Sequence, residues 1–137
     1  MENIGYEKKD INEEAYKLMK KLMIREKLHE LCGQEVTIYI DRPIGSIHPN
    51  NNDIIYKVNY GYIKEITALD NEYQDAYLLG VDEPVKMHRG KIIALIERED
   101  DIEDKLVISV GKTYTIDEIK ELVDFQEKFF KTNIILL

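Results

Sequence analysis

Val58-Asn59-Tyr60-Gly61-Tyr62-Ile63 is followed a few residues on by Asp70-Asn71-Glu72-Tyr73-Gln74-Asp75 and then by Ala76-Tyr77-Leu78-Leu79. Aromatic and β-branched residues on both sides of a polar, acidic segment read as two strands joined by a turn. Three carboxylates within six residues give that turn a chemistry of its own. In extended chain Asp70 and Glu72 share one face, and Asp75 joins them only through a bend. Carboxylates brought so close repel one another unless a cation or a proton neutralises them, and Mg²⁺ takes oxygen ligands of this kind. A magnesium site and a polar turn between strands are the two readings of the segment.

Further strands lie on either side. Val36-Thr37-Ile38-Tyr39-Ile40, 54–66, 76–79, 91–96 and 105–110 are all short and rich in β-branched or aromatic residues. Pro43-Ile44-Gly45-Ser46, His48-Pro49-Asn50-Asn51-Asn52-Asp53, Asp82-Glu83-Pro84 and Arg89-Gly90 supply turn chemistry between them. A small closed barrel uses five such strands without exposed edges. Two helices flank it in sequence. The first is expected over 10–31, from a capping-box pair Asp10/Glu13 to a stop at Gly33, with Ile11, Ala15, Leu18, Met19, Leu22 and Met23 on one face. That stripe is expected to pack on the barrel, with a dimer contact as the alternative. The second is expected over 115–130, opened by Thr115 and Glu118 as another capping box, with Ile116, Ile119, Leu122, Val123 and Phe129 facing the barrel. The fold class is mainly β with flanking helices (α+β), divided into an N-terminal helical extension (1–33) and a barrel with its C-terminal helix (34–137). The apolar tail Ile134-Ile135-Leu136-Leu137 is expected to dock, for instance on a neighbouring subunit, and a homo-oligomer is expected.

Composition narrows the function. With 137 residues, 44% of them apolar, the chain fills one domain core. A net charge of −8 without a basic run argues against sequence-independent nucleic-acid binding. Acting on an anionic substrate then requires local cations, and bound Mg²⁺ is the simplest source. Cys32 is the single cysteine, which excludes an intrachain disulfide or a cysteine zinc cage. No signal peptide or apolar run of membrane-spanning length is visible, so a cytoplasmic protein without a membrane partner is expected.

The order NYGYI, then D-x-E-x-x-D, then an acidic stretch ending in Lys105 resembles the soluble, magnesium-dependent inorganic pyrophosphatases with an OB-like barrel. In that family a D-x-D-P-x-D segment follows the tyrosine strand, and a later D-x4-D-x-K stretch completes the metal cage. The resemblance spans roughly 36–131 and is most specific over 59–75. It implies hydrolysis of pyrophosphate to two phosphates, with Mg²⁺ as cofactor. It implies Asp70 and Asp75 as metal ligands and Glu72 at the position of the water-activating aspartate. Tyr60 and Lys105 fall on phosphate-contacting residues. Within Glu97-Arg98-Glu99-Asp100-Asp101-Ile102-Glu103-Asp104, anchoring at Lys105 puts Glu103 and Arg98 on the family aspartates. Allowing a one-residue deletion selects Asp100 and Asp104 as ligands instead. Lys131, next to Phe130, matches an aromatic-lysine pair that faces the phosphates, and Arg42 or Arg98 is a candidate further cation. Asp41, two residues before Pro43, matches an acidic residue that the family carries before a proline.

The chain also departs from the pattern. The hairpin that in the family carries a lysine, a glutamate and an arginine for substrate is replaced here by the short loop 42–53. The expected activity is therefore set against one alternative, a barrel that has lost efficient catalysis and serves as a binding or assembly module. Hydrolysis of another phosphoanhydride is the remaining variant of the first reading.

Overall fold

The computed structural model describes residues 2–68 and 71–137, without the side chains of residues 2–11. Asp70, expected above as a metal ligand, lies outside the described residues. Helix α1 (Glu2–Glu30) runs past the anticipated Asp10/Glu13 start. It ends where Gly33 takes φ +76°, a left-handed conformation that costs glycine nothing. The Gly33 N–H donates to the Ile92 carbonyl, which ties the helix end to the sheet.

The strands follow as β1 (Glu35–Arg42), β2 (Ile47–His48), β3 (Asn51–Ile55), β4 (Asn59–Thr67), β5 (Tyr73–Leu79), β6 (Met87–Arg98) and β7 (Lys105–Ser109). Helix α2 (Ile116–Glu127) and strand β8 (Thr132–Leu136) complete the chain. The single strand expected over 54–66 is two elements. Tyr56-Lys57-Val58 interrupts it, and β3 pairs with β2 in a separate hairpin, because the Tyr56 backbone bonds to Gly45 and Ser46 across the loop.

The main sheet closes in the order β1-β4-β5-β7-β6 and back to β1, a five-stranded barrel. Its pairs are antiparallel except β5–β7. Closure at β1–β4 depends on Gly61, because a Cβ there would lie 1.8 Å from the Tyr39 carbonyl oxygen.

Side-chain parity divides the interior into two cores. Val36, Ile38, Ile63, Ala76, Leu78, Ile92, Leu95, Leu106 and Ile108 come from all five strands and fill the barrel, with Leu28 of α1 at one end. Tyr60, Tyr77, Leu79, Ala94, Ile96 and Val107 point outward and are covered by Ile119, Val123 and Phe125 of α2. An irregularity between Ile92 and Ala94 lets β6 serve both cores, since one extra residue reverses which face each side chain takes. Each fully buried Leu or Ile of this kind is stabilised by about 1.5–3 kcal/mol relative to exposure.

Thr115 caps α2 through the anticipated reciprocal box with Glu118. The helix stops at Glu127, however, and Ile116 and Phe129 are exposed. The apolar tail forms β8 on the outer half of β6 of its own chain. The stripe on α1 does not pack on the barrel. Ile24, Leu28 and Leu31 make that contact, while Leu18, Met19, Leu22 and Met23 are exposed, because the barrel surface reaches only the last turns of the helix.

Candidate functional site

The parity that sends Tyr60 outward does the same for Asp75 and Lys105. Tyr60 faces Tyr77 across β4–β5, and Ala76 faces Leu106 across β5–β7, so Asp75 and Lys105 are neighbours on the outer face. They line a cleft of about 360 Å³ between this face, the β2–β3 hairpin and the C-terminal end of α2. Arg42, His48, Asn51, Ile54, Arg98, Gln126, Phe129 and Phe130 complete the wall.

Lys105 donates from Nζ to the Asp75 carboxylate at 2.8 Å, and Asp75 keeps about a third of its side chain exposed. Arg42, at the end of β1, lies over the rings of Tyr56 and Tyr60 and donates from Nη1 to the Tyr56 hydroxyl at 2.6 Å. Tyr60 is buried, which pushes its hydroxyl well above the ordinary phenol range, with the Asp75 charge adding to the effect. It stays a neutral hydrogen-bonding group. Asp41 is an exposed residue, but partial desolvation of its carboxyl beside the sheet raises it, and nearby Asp75 adds to that.

Beneath the cleft runs a hydrogen-bonded network that no sequence motif announces. The Tyr56 hydroxyl donates to Gln126 Oε1, and Gln126 Nε2 donates to the Tyr77 hydroxyl at 2.6 Å. Tyr77 in turn donates to Glu127. Glu127 receives both forks of the Arg98 guanidinium, at 3.0 and 2.6 Å, and Arg98 Nη1 also reaches Asp101 at 2.9 Å. Burial alone would pull the Arg98 pKa down, but the Glu127 hydrogen bond and charge reverse this and hold it above the usual arginine value. The signal available in the sequence was periodic. Gln126 and Glu127 continue the apolar stripe of Ile119 and Val123 at helical spacing, so α2 carries two polar residues on its inward face.

The remaining expected site residues lie elsewhere. Asp104 turns toward α1, where Arg25 grips it at 2.6 and 3.1 Å, and it also accepts the Arg98 backbone N–H. Asp100 accepts the Lys131 backbone N–H, at 3.0 and 3.1 Å to its two oxygens. The Lys131 side chain is largely exposed and lies 3.8 Å from Glu99. Glu72 is exposed in the β4–β5 turn, where its carbonyl accepts the Ala68 N–H. Neither Lys131 nor Glu72 lines the cleft.

Mg²⁺ requires near-octahedral oxygen coordination at about 2.0–2.1 Å. Among the described residues no three His, Cys, Asp or Glu side chains converge in that way. Asp75 is neutralised by Lys105, Asp104 by Arg25, and the guanidinium of Arg98 is built into the cleft wall. No buried side-chain nitrogen or oxygen among the described residues lacks a partner. The described donor set does not fit a magnesium cage.

No family model matches this chain, and no curated protein matches it in sequence. Solved structures do. The inorganic pyrophosphatase of Ehrlichia chaffeensis superposes with a TM-score of 0.59 at 14% identity, covering 77% of this chain and 87% of that one. The Coxiella burnetii inorganic pyrophosphatase gives 0.52 at 15% identity, over 77% and 84% of the two chains. The Helicobacter pylori enzyme gives 0.51 at 12%, over 75% and 82%. At these identities the likeness is one of fold, and the fold is the inorganic pyrophosphatase barrel.

Proposed function

We infer that the cleft takes pyrophosphate or a related small phosphoanhydride, and that the chain's own cations supply the counter-charge. The observation that carries this reading is the charge of the lining. Arg42 and Lys105 line the cleft with one carboxylate, Asp75, in a protein whose net charge is −8, while Arg98 in the same wall is already held by Glu127 and Asp101. Arg42 is the cation best placed to receive an oxygen, because the hydroxyl it donates to is a neutral phenol. Lys105 follows by exchanging Asp75 for the anion, and Tyr60 supplies a neutral hydroxyl in the same wall. The likeness in fold to inorganic pyrophosphatases supports the choice of ligand class.

Magnesium-dependent hydrolysis of pyrophosphate is the second reading, favoured by the meeting of Tyr60, Asp75 and Lys105 in one cleft. It needs Asp100 and Asp104 to leave their present partners and Glu72 to join Asp75.

Titration calorimetry with pyrophosphate in EDTA and in Mg²⁺, alongside phosphate release, tests both. Binding in EDTA that is lost in Arg42→Ala is the expected result. Binding and turnover only with Mg²⁺ would replace the first reading by the second. Neither binding nor turnover in a folded protein would remove both.

A further inference from the structure

The walls of the cleft differ in chemistry. The sheet face brings charge and a hydroxyl through Lys105, Asp75 and Tyr60, and Arg42 joins them from the end of β1. The other walls bring apolar surface and rings, with Ile54 and His48 on the β2–β3 hairpin and Phe129 and Phe130 in the turn after α2. Backbone bonds fix that turn, the Phe129 and Phe130 N–H groups donating to the Gln126 and Glu127 carbonyls at 3.3 and 2.9 Å. Phe130 spends a ring face on the Arg98 guanidinium, 3.6 Å from its centroid. Phe129 stays 50% exposed at the cleft, with the Lys128 ammonium 5.4 Å from its ring.

Inorganic pyrophosphate, which presents oxygens alone, leaves the ring-bearing walls unused. The cleft of about 360 Å³ falls in the range that takes drug-sized organic ligands. A diphosphate esterified to an organic group uses both kinds of wall. Esterification also removes one ionisable oxygen, which lessens the charge that Arg42 and Lys105 must match. The hairpin says which organic group fits. His48 Nδ1 accepts the Asn50 N–H at 3.0 Å, which puts the hydrogen of the neutral ring on Nε2. Asn51 Oδ1 accepts the Asp53 N–H at 3.0 Å and leaves the side-chain amide N–H groups as donors. These polar groups beside an exposed phenyl ring match a heterocycle, which has flat faces and a hydrogen-bonding edge. An aliphatic chain would cover them without bonding them.

We propose that the ligand of the cleft is a nucleoside diphosphate, its diphosphate against Arg42 and Lys105 and its base on Phe129 with an edge toward His48 and Asn51. The proposal rests on the reading of the cleft as a phosphoanhydride site.

Titration calorimetry in EDTA with adenosine diphosphate, uridine diphosphate, dimethylallyl diphosphate and pyrophosphate tests it, with circular dichroism to verify folding. Both nucleotides are expected to bind about tenfold more tightly than pyrophosphate, the gain that stacking of one base provides. In Phe129→Ala that ratio falls to about one, and in Phe129→Tyr it is kept. Pyrophosphate that binds as well as the nucleotides overturns the proposal while leaving the phosphoanhydride reading intact. A nucleotide preference that survives Phe129→Ala overturns it too, as does dimethylallyl diphosphate binding as tightly as the nucleotides. Binding of none of the four by the folded protein overturns both the proposal and the reading beneath it.

Discussion

Lys105 Nζ lies 2.8 Å from the Asp75 carboxylate, and the two residues come from strands that run parallel side by side. Each therefore neutralises the other at the mouth of the cleft. In the proposed binding reading, an entering phosphoanion competes with Asp75 for the ammonium, and the pair sets the affinity of the site.

Asp75→Asn is expected to raise pyrophosphate affinity in EDTA, and Lys105→Met to lower it about tenfold, the loss of one charge-assisted hydrogen bond of about 1.5–3 kcal/mol being partly offset by water. Calorimetry in EDTA reads both. The Mg²⁺-dependent hydrolase reading makes the opposite forecast for Asp75→Asn, namely that phosphate release disappears while the fold survives.

Glu127→Ala leaves the Arg98 guanidinium buried without its bidentate partner. Removing one member of such a pair costs about 3–5 kcal/mol. Urea unfolding should show that loss, and Arg98→Met added to Glu127→Leu should recover most of it, because two matched apolar side chains need no counter-charge. A near-neutral Glu127→Ala would mean that Asp101 alone can hold Arg98.

Asp104 tests whether the loop between β6 and β7 is built for support or for a ligand. Asp104→Asn weakens the clamp from Arg25, and an expected loss of about 1–3 kcal/mol in urea unfolding follows from a weakened, partly buried charged hydrogen bond. Pyrophosphate binding in EDTA should be unchanged. A loss of binding without a loss of stability would instead assign this carboxylate to the site.

The raised Asp41 carboxyl gives stability a pH dependence of defined sign. Its folded pKa exceeds the unfolded one, so the folded chain holds the proton more tightly. This group's contribution is favourable at low pH and is lost as pH rises from about 4 through its folded pKa. Asp41→Asn should therefore raise the melting temperature at pH 7 and lose that advantage near pH 4. Scans across that range measure it, and an advantage that grows toward acid would contradict the sign.

The barrel was legible because strands announce themselves in alternation. Val36/Ile38, Ala76/Leu78 and Leu106/Ile108 each place a pair on the inner face. The same parity brings Tyr60, Asp75 and Lys105 to one side, and the sequence motif captured these three as a group. Other parts were hidden for physical reasons. The break at Tyr56-Lys57-Val58 has no Gly or Pro to mark it and arises from loop backbone bonds. The destinations of Asp100 and Asp104 depend on a distant arginine and a backbone N–H, which local spacing does not encode. Helical period on α1 correctly finds an apolar face, but it cannot tell how far the barrel extends beneath it. The tail reads as apolar whether it pairs with its own β6 or with another subunit.

Strand β1 is the seam of the barrel, bonded to β4 on one edge and to β6 on the other. β4 follows it closely in the chain, but Met87 of β6 is translated some 45 residues after Arg42. At about 5–20 residues per second, a nascent chain carries β1 with one edge open for roughly two to nine seconds. During that interval Val36 and Ile38 have no barrel to enter. An edge open for that long is free to pair with a strand of a second nascent chain.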